Sequence, residues 1–247
     1  MTKIYLTVDP HDVKIYPNLH ESKYILGSYY YWKNVDIEKA VPNADILLDS
    51  GVFTMFNKGK PTKEDIEKYV DNYIDYINKH GIEKYVEMDL DVFFSYDYIL
   101  KLRKKLEKGT QRKSIPIWHV SRGKEEFIKM CKEYDYAGIG GIVSKEAIKD
   151  YKHLYKDLNK LASSYGCKLH AMGFTPTKDL YKYRFYSSDS TSWKLGNRSG
   201  NVYIFKNNKL LVKQKPKNTK IMSYKKLDNF NALEWIKYQK YCDQFNK

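Results

Sequence analysis

Residues 46–91 read ILLDSGVFTMFNKGKPTKEDIEKYVDNYIDYINKHGIEKYVEMDLD, which is the order strand, helix, strand. The runs Ile46–Leu48 and Tyr85–Leu90 are short and apolar, as buried strands are. Between them, Thr62 begins a Thr-x-x-Asp capping pattern, apolar residues recur every three or four positions, and Gly81 ends the helix. This order predicts a parallel sheet with right-handed crossovers.

The same order recurs along the rest of the chain. Eight such units predict a (β/α)8 TIM-like barrel over residues 1–205, with a doubly wound open sheet as the alternative. Further helices are predicted around Tyr98–Leu106, Phe127–Tyr134 and from a Ser144 cap to Leu161. The eight predicted strands are Lys3–Val8, Ile46–Leu48, Tyr85–Leu90, Ile115–Val120, Tyr136–Ile142, Lys168–Phe174, Phe185–Ser188 and Asn201–Phe205.

The C-terminal part, residues 206–247, differs in composition. Residues 206–227 hold eight lysines and no acidic residue, and a helical pattern follows over Asn231–Gln244. We expect a basic loop or hairpin and a closing helix, both packed on the barrel domain. The lysine run favours contact with phosphates, and a solvated loop is the alternative.

Composition limits the classes of function. The 247 residues carry 44 Lys+Arg against 30 Asp+Glu, a net charge of +14, which favours a nucleic-acid partner unless codon bias alone raised the lysine content. A hydrophobic content of 42% excludes global disorder. We find neither a membrane-length apolar run nor a secretory signal, and therefore expect a cytoplasmic protein without a membrane partner. Three scattered cysteines and no HExxH motif predict no disulfide framework, no metal and no cofactor.

Polar residues end several of the predicted strands. Because strand ends meet at one mouth of a parallel barrel, these side chains are expected to lie together. Neighbouring carboxylates push their pKa values apart, which creates a proton donor beside an ionised nucleophile, the pair that cleaves a glycosidic bond. A single Asp at such a place is also a common turn or capping residue. The residues are Asp49, Asp89, Asp91, His119, Gly140, Gly141 and Asp189.

Five segments in order carry a family resemblance: LLDSGVFT, VEMDLD, YAGIGGIV, HAMGFTPTKDL, and FYSSDSTSW followed by NRSGNVYIF. This set resembles the tRNA-guanine transglycosylase (queuine tRNA-ribosyltransferase) superfamily. The nearest part is the short phage and bacterial branch that inserts 7-deazaguanines into DNA. The resemblance covers about Ile46 to Phe205 and implies a pentosyltransferase that exchanges a base through a covalent glycosyl-aspartate intermediate.

The resemblance also implies residue roles. Asp189 takes the place of the nucleophile, and Asp49 that of the general acid/base. Asp89, with Asp91 as the alternative, resembles the acid that reads the amino edge of the base. His119 lies near a pocket position where the tRNA enzymes have glutamine. The remaining implied contacts are Gly140, Gly141 and Ile142 for the base, Met172 and Gly173 for the pocket wall, and Arg198 for phosphate.

Two departures from the family favour DNA over tRNA. The chain lacks the cysteine-rich zinc site of the tRNA enzymes and has no room for an appended RNA-binding domain. Separately, Leu195 takes the place of the family's second phosphate-binding arginine. We therefore expect duplex or single-stranded DNA as the partner, held by Lys213, Lys215 and Lys217. Trp193 is predicted to contact the pocket or nucleic acid, whereas the aromatic cluster Tyr29–Trp32 is interpreted as stacking surface or as core.

Other functions stay open from the sequence. The same carboxylates would serve a DNA glycosylase that excises a modified base in antiviral defence, since attack by water leaves an abasic site. A tRNA-directed enzyme and a non-catalytic nucleic-acid-binding barrel are further alternatives. The partners expected besides DNA are a free 7-deazaguanine-type base, a helper ATPase and a second copy of the chain.

Overall fold

Seven parallel strands form the main sheet of the computed structural model, which describes residues 2–56, 61–141, 152–177, 180–215 and 223–244. The sheet order is β3-β2-β1-β7-β6-β5-β4. The strands are β1 Lys3–Val8, β2 Tyr24–Ser28, β3 Asp45–Asp49, β4 Ile117–Trp118, β5 Tyr136–Ile139, β6 Lys168–Ala171 and β7 Ser187–Ser190.

The segment Tyr85–Val86 joins the two edges of this sheet. Tyr85 forms a parallel bridge with Leu48 of β3, and Val86 forms one with Ile115, two residues before β4. The backbone hydrogen bonds of these bridges measure 2.8–3.0 Å. The sheet therefore curls until its edges meet, and the predicted (β/α)8 TIM-like barrel is confirmed.

Helices follow most of the strands. The helix predicted after Thr62 is confirmed, because Thr62 and Asp65 form a capping box in which each side chain accepts the other's backbone N–H at 3.1 Å. The cap predicted at Ser144 lies outside the described residues. No helix in the described part of the chain has the length and apolarity to cross a membrane. The helices are α1 Pro10–Ile15, α2 Tyr29–Trp32, α3 Ile37–Ala40, α4 Val52–Phe56, α5 Lys63–Lys79, α6 Tyr96–Thr110, α7 Gly123–Glu133, α8 Tyr155–Ser164, α9 Leu195–Ser199 and α10 Tyr224–Asp243.

One predicted barrel strand is wrong and another was missed. Asn201–Phe205 belongs to an antiparallel hairpin, β8 Asn201–Lys206 with β9 Lys209–Gln214, outside the main sheet. The missed strand is β2, whose five residues are all buried. Gly27 and Ser28 do mark the end of β2, but the four aromatic residues of α2 follow at once, so that one apolar and aromatic stretch covers both strand and helix. The predicted count of eight was therefore right only because these two errors cancel.

The interior of the barrel is apolar in its middle and polar at both ends. A small cluster, mainly of Tyr and aliphatic side chains, fills the middle. At the amino end of the strands, Asp45 accepts hydrogen bonds from Tyr5 at 2.9 Å and Lys84 at 2.5 Å. At the carboxyl end, Asp189 and His170 occupy the interior instead of apolar side chains. The larger apolar core lies between the strands and the surrounding helices, which leaves the carboxyl end free for chemistry.

Helix α10 is tied to the barrel and to the hairpin by buried polar side chains. The Gln239 amide donates to the carbonyl oxygens of Ile4 at 2.7 Å and Tyr24 at 3.0 Å. Asn231 accepts the Tyr203 N–H at 2.9 Å, and Glu234 similarly holds the backbone of β8. The predicted closing helix thus packs against the first strands and carries the basic hairpin.

A buried ion pair supports the strand segment that leads to Asp89. Glu87 is fully buried and accepts hydrogen bonds from Arg103 of α6 at 2.6 and 3.0 Å and from the Ile117 N–H at 2.6 Å. Burial raises the pKa of Glu87, against the opposing effects of Arg103 and the Ile117 N–H. The Glu87–Arg103 pair thus links the bridge segment Tyr85–Val86, helix α6 and strand β4 beneath the mouth of the barrel.

Removal of one partner of the Glu87–Arg103 pair should lower the stability of the folded protein. Glu87→Ala leaves the Arg103 charge buried without a partner, so we expect a loss of about 3–5 kcal/mol in the free energy of unfolding. Urea denaturation measures the loss. The matched control is Glu21→Ala, which breaks the exposed pair with Lys240 at 3.1 Å and should change stability by less than about 0.5 kcal/mol. Equal effects of the two substitutions would contradict the assigned role.

Candidate active site at the carboxyl end of the barrel

Acidic side chains from three strand ends lie at one mouth of the barrel. Asp49 ends β3, Asp189 lies within β7, and Asp89 follows the bridge segment Tyr85–Val86. The negative charges of Asp189 and Asp89 both act on the carboxyl group of Asp49. The structure therefore brings together the side chains that the sequence placed at one opening.

Asp189 is almost fully buried, with 8% of its surface exposed, and is held by three hydrogen-bond donors. Oδ1 accepts from the Gly173 N–H at 2.6 Å and lies 3.2 Å from His170 Nε2. Oδ2 accepts from the Thr7 hydroxyl at 3.2 Å. Asp189 therefore serves as a hydrogen-bond acceptor on both oxygens, which suits a carboxylate that attacks a carbon atom.

His170 is a site residue that sequence reasoning missed. Its ring is fully buried within the barrel, and Nδ1 lies 2.7 Å from the Ser187 hydroxyl. The Ser187 hydroxyl lies 2.6 Å from the hydroxyl of Tyr136. A sequence signal did exist: His170 precedes the Met-Gly segment in a strand that is otherwise apolar. A single histidine in such a place is not by itself distinctive.

Asp49 has a different environment from Asp189. Its Oδ2 accepts the Gly51 N–H at 2.9 Å. Burial raises the pKa of Asp49 to about 6, and the charges of Asp189 and Asp89 act in the same direction, whereas the Gly51 N–H opposes the shift. Asp49 therefore exchanges a proton near neutral pH, as a general acid/base must.

Asp89, Asp91 and His119 form a charged group beside these two carboxylates. His119 Nε2 lies 2.7 Å from Asp89 Oδ1 and 3.5 Å from Asp91 Oδ2. Burial disfavours the charged imidazole, but the hydrogen bond and charge of Asp89 outweigh it and raise the pKa of His119. Arg122 of the following turn donates to both oxygens of Asp91, at 3.0 and 2.6 Å. Asp91 is thus already paired, which leaves Asp89 and His119 as the polar pair that can face a ligand.

The glycines after β5 make room for His119. A Cβ atom on Gly140 would lie 2.6 Å from Cε1 of His119 and 2.7 Å from Cγ2 of Ile117. Between the two interpretations of this segment, relief of crowding is therefore established for Gly140, and contact with a base stays a prediction. Gly141 is exposed next to it, whereas Ile142 lies outside the described residues.

The segment after β6 contributes a backbone N–H to the candidate site more than a side-chain wall of the pocket. Met172 is half-buried and packs on the apolar cluster inside the barrel. Gly173 is exposed, has a positive φ of 66° and donates its N–H to Asp189. The predicted pocket wall is therefore refined: Gly173 holds the candidate nucleophile directly.

Trp193 does not offer a stacking surface, so the prediction that it contacts nucleic acid is wrong. The ring is fully buried, its N–H donates to the Thr7 carbonyl at 3.1 Å, and Tyr16 packs edge-on at 5.4 Å. The aromatic cluster of α2 is also largely core. Tyr29 and Trp32 are buried, although Tyr31 is half exposed.

The predicted phosphate contacts are described only in part. Lys213 and Lys215 are exposed at the end of the hairpin where Lys215 N–H donates to the Gly200 carbonyl, just after α9. Both lysines therefore lie at the end of the hairpin where the chain enters β8 and leaves β9, opposite the Asn207–Asn208 turn. Lys217 lies outside the described residues, as does the side chain of Arg198.

Within the described residues, one group of donors has the geometry to hold a metal ion. The ligand atoms of Asp89, Asp91 and His119 lie within 4.8 Å of one another. Arg122 opposes metal binding, because its guanidinium already occupies both oxygens of Asp91 and would repel a second cation. The donor set therefore fits a metal poorly, and the absence of a metal stays a prediction.

The raised pKa of Asp49 predicts a stability that depends on pH. The folded chain holds this proton more tightly than the unfolded chain does, so stability falls as pH rises from about 4 to about 6 and stays reduced above. Asp49→Asn removes the titration but keeps an acceptor for Gly51. We expect this variant to be more stable than wild type by about 1–3 kcal/mol at pH 7.5, with the difference vanishing near pH 4. Paired urea titrations at both pH values measure it; a constant difference would contradict the assigned environment.

No protein-family model matches the chain, and no curated protein matches it. Solved structures do match. The aldolase QR15 superposes with a TM-score of 0.52 at 14% identity, covering 77% of this chain and 90% of its own. A putative fructose-1,6-biphosphate aldolase from Coccidioides immitis has a TM-score of 0.54 at 13% identity, covering 99% and 89%. At these identities the likeness concerns the fold alone: the chain shares the barrel of these proteins.

Proposed function

We propose that the protein exchanges a base in DNA, replacing guanine with a 7-deazaguanine derivative through a covalent glycosyl-aspartate intermediate. The observation that carries this proposal is the contrast between two carboxyl groups at one mouth. Asp189 is held as an acceptor by three donors, whereas burial raises the pKa of Asp49 to about 6. A nucleophile beside a proton donor is the pair required to break a glycosidic bond and form it again.

The proposed reaction has two steps. Asp189 attacks C1′ of the target nucleotide, the bond from C1′ to the base breaks, and the base leaves with the electron pair and a proton from Asp49. The incoming base then attacks C1′, the electron pair of the sugar–Asp189 bond returns to the carboxylate, and Asp49 takes the proton that the incoming base loses. The sugar–phosphate backbone stays intact throughout.

The polar pair Asp89 and His119 supports recognition of a guanine-like base. An ionised Asp89 accepts from the amino edge of such a base, and a charged His119 donates to an exocyclic oxygen. Because these groups pair with each other in the free protein, the arriving base must replace their contact. The base becomes accessible only when its nucleotide leaves the stack, at a cost of about a few kcal/mol.

The basic hairpin supports DNA as the substrate. Lys213 and Lys215 are exposed on β9 and at its end, and helix α10 holds the partner strand β8 through Asn231 and Glu234. Exposed lysines on a hairpin that is bound to the barrel domain give phosphates a defined place to bind.

Incubation with DNA and labelled guanine or 7-cyano-7-deazaguanine tests the reaction. Asp189→Asn should lower incorporation by at least about 10³-fold and abolish the trapped adduct, with DNA affinity unchanged. Asp49→Asn should slow the reaction by about 10²–10⁴-fold and make it depend more strongly on the leaving base. The control is Asp97→Asn, an exposed aspartate on α6, which should behave as wild type.

Two results would change the proposal. Incorporation by Asp189→Asn at the wild-type rate removes the nucleophile assignment. Abasic sites without incorporation, dependent on the same two aspartates, indicate that water is the acceptor and that the protein is a DNA glycosylase. Two further partners are proposed besides DNA and a free base: a helper ATPase and a second copy of the chain. In this experiment they are tested only by adding them to the purified protein.

Salt dependence tests the hairpin contact. Lys213→Ala and Lys215→Ala each remove one phosphate contact, so the slope of log affinity against log salt should become shallower by about 1 per substitution. Filter binding or fluorescence anisotropy at several salt concentrations measures it. Lys104→Ala, an exposed lysine on α6, should leave the slope unchanged. Identical slopes for all three variants would remove the hairpin from the DNA interface.

A further inference from the structure

A line of polar side chains runs through the barrel interior below Asp189. It passes from Tyr136 to Ser187 at 2.6 Å, from Ser187 to His170 at 2.7 Å, and from His170 to Asp189 at 3.2 Å. His170 and Ser187 are fully buried. Buried polar groups cost stability that apolar side chains would not, so their presence beneath the mouth requires an explanation.

The hydrogen bonds of this line have a defined direction. An ionised Asp189 only accepts, so His170 Nε2 carries the hydrogen that points to Oδ1. In the neutral ring Nδ1 then accepts from the Ser187 hydroxyl, and Ser187 in turn accepts from Tyr136. Every hydrogen in the line therefore points toward Asp189, and the orientation of the imidazole is fixed at both nitrogens.

The two oxygens of Asp189 are held differently. Oδ1 has two donors, the fully buried His170 ring and the Gly173 backbone N–H in the turn that follows β6, the latter at 2.6 Å. Oδ2 has the Thr7 hydroxyl as its partner among the described residues, and that bond is 3.2 Å long. A hydroxyl at the end of β1 rotates away more readily than a buried imidazole or a backbone amide.

We propose that His170 is a positioning residue that makes the two oxygens of Asp189 unequal: Oδ2 bonds to the sugar, and Oδ1 remains held by His170 and Gly173. The inference rests on the proposed function and assigns an atom to its covalent step. When the Oδ2–C1′ bond forms, the C1′–base bond breaks and its electron pair leaves with the base, which is protonated by Asp49. Oδ1 then becomes the carbonyl oxygen of the glycosyl ester.

The role of His170 is greatest in the second step. As the incoming base attacks C1′, the electron pair of the Oδ2–C1′ bond returns to Asp189, and negative charge develops on a carboxylate that was neutral as an ester. The donors on Oδ1 stabilise this charge without reorganising, in the manner of an oxyanion hole. A barrel without His170 would therefore capture the sugar more easily than it releases it.

Rapid-quench measurement of the trapped adduct and of base incorporation tests the inference on the full chain. His170→Leu should slow release of the sugar by about 10²-fold, so that incorporation falls while the fraction of enzyme present as adduct rises. His170→Gln keeps a donor near the position of Nε2 and should recover most of the rate. DNA affinity should be the same for both variants, which separates an effect on kcat from one on KM.

Two further variants keep the test decisive. Ser187→Ala removes the hydroxyl 2.7 Å from His170 Nδ1 and leaves only the longer contact with the Tyr136 hydroxyl at 3.4 Å. It should raise the adduct fraction by a smaller factor, which carries the test if His170→Leu does not fold. Tyr5→Phe removes an interior hydroxyl that bonds Asp45 at the opposite end of the barrel and should change neither step.

A failure of the proposed function and a failure of this inference give different results. Wild-type protein without incorporation or adduct overturns the proposed function. Wild-type exchange with an adduct fraction that is unchanged, or that falls in parallel with incorporation, in folded His170 and Ser187 variants overturns this inference alone.

Discussion

The burial of several carboxyl groups at one opening is the constraint on which this site depends. Three strand ends deliver Asp49, Asp89 and Asp189 to the same mouth, and each charge is balanced differently. Asp189 is satisfied by a ring N–H, a backbone N–H and a hydroxyl. Asp89 is paired with a histidine whose pKa it raises. Asp49 accepts the Gly51 N–H, but burial outweighs this hydrogen bond and raises its pKa to about 6. Division of roles among chemically identical side chains follows from their surroundings.

The barrel fold brings the ends of the strands together, but it does not determine which reaction takes place there. The barrel is shared with two aldolases at identities of 13 and 14%, and a barrel of this kind supports many unrelated reactions by changing the residues at its strand ends. In this chain the strand ends rest on the polar line beneath Asp189 and on the buried pair Glu87–Arg103.

Sequence patterns predicted the features that are local in the chain. The helix after Thr62 and the strand that ends in Asp49 carry their own signals of period, cap and turn. Features that depend on neighbours distant in sequence were not predictable in the same way. Strand β2 was hidden because it continues into an aromatic helix, and Trp193 was assigned to the surface because nothing local reveals that Thr7 and Tyr16 cover it. His170 gained a role only when β6 and β7 were placed side by side.

The attachment of helix α10 has a consequence for how the chain acquires its structure. Gln239 completes hydrogen bonds of strand residues more than 200 positions earlier, including one to the Ile4 carbonyl. Contacts of such long sequence separation form late, because the loop that they close has a high entropic cost. During synthesis on the ribosome, the Ile4 and Tyr24 carbonyl groups have no bond to this side chain until residue 239 has emerged. A premature stop before α10 would therefore leave these two buried carbonyl groups without the Gln239 donor, at a cost in stability.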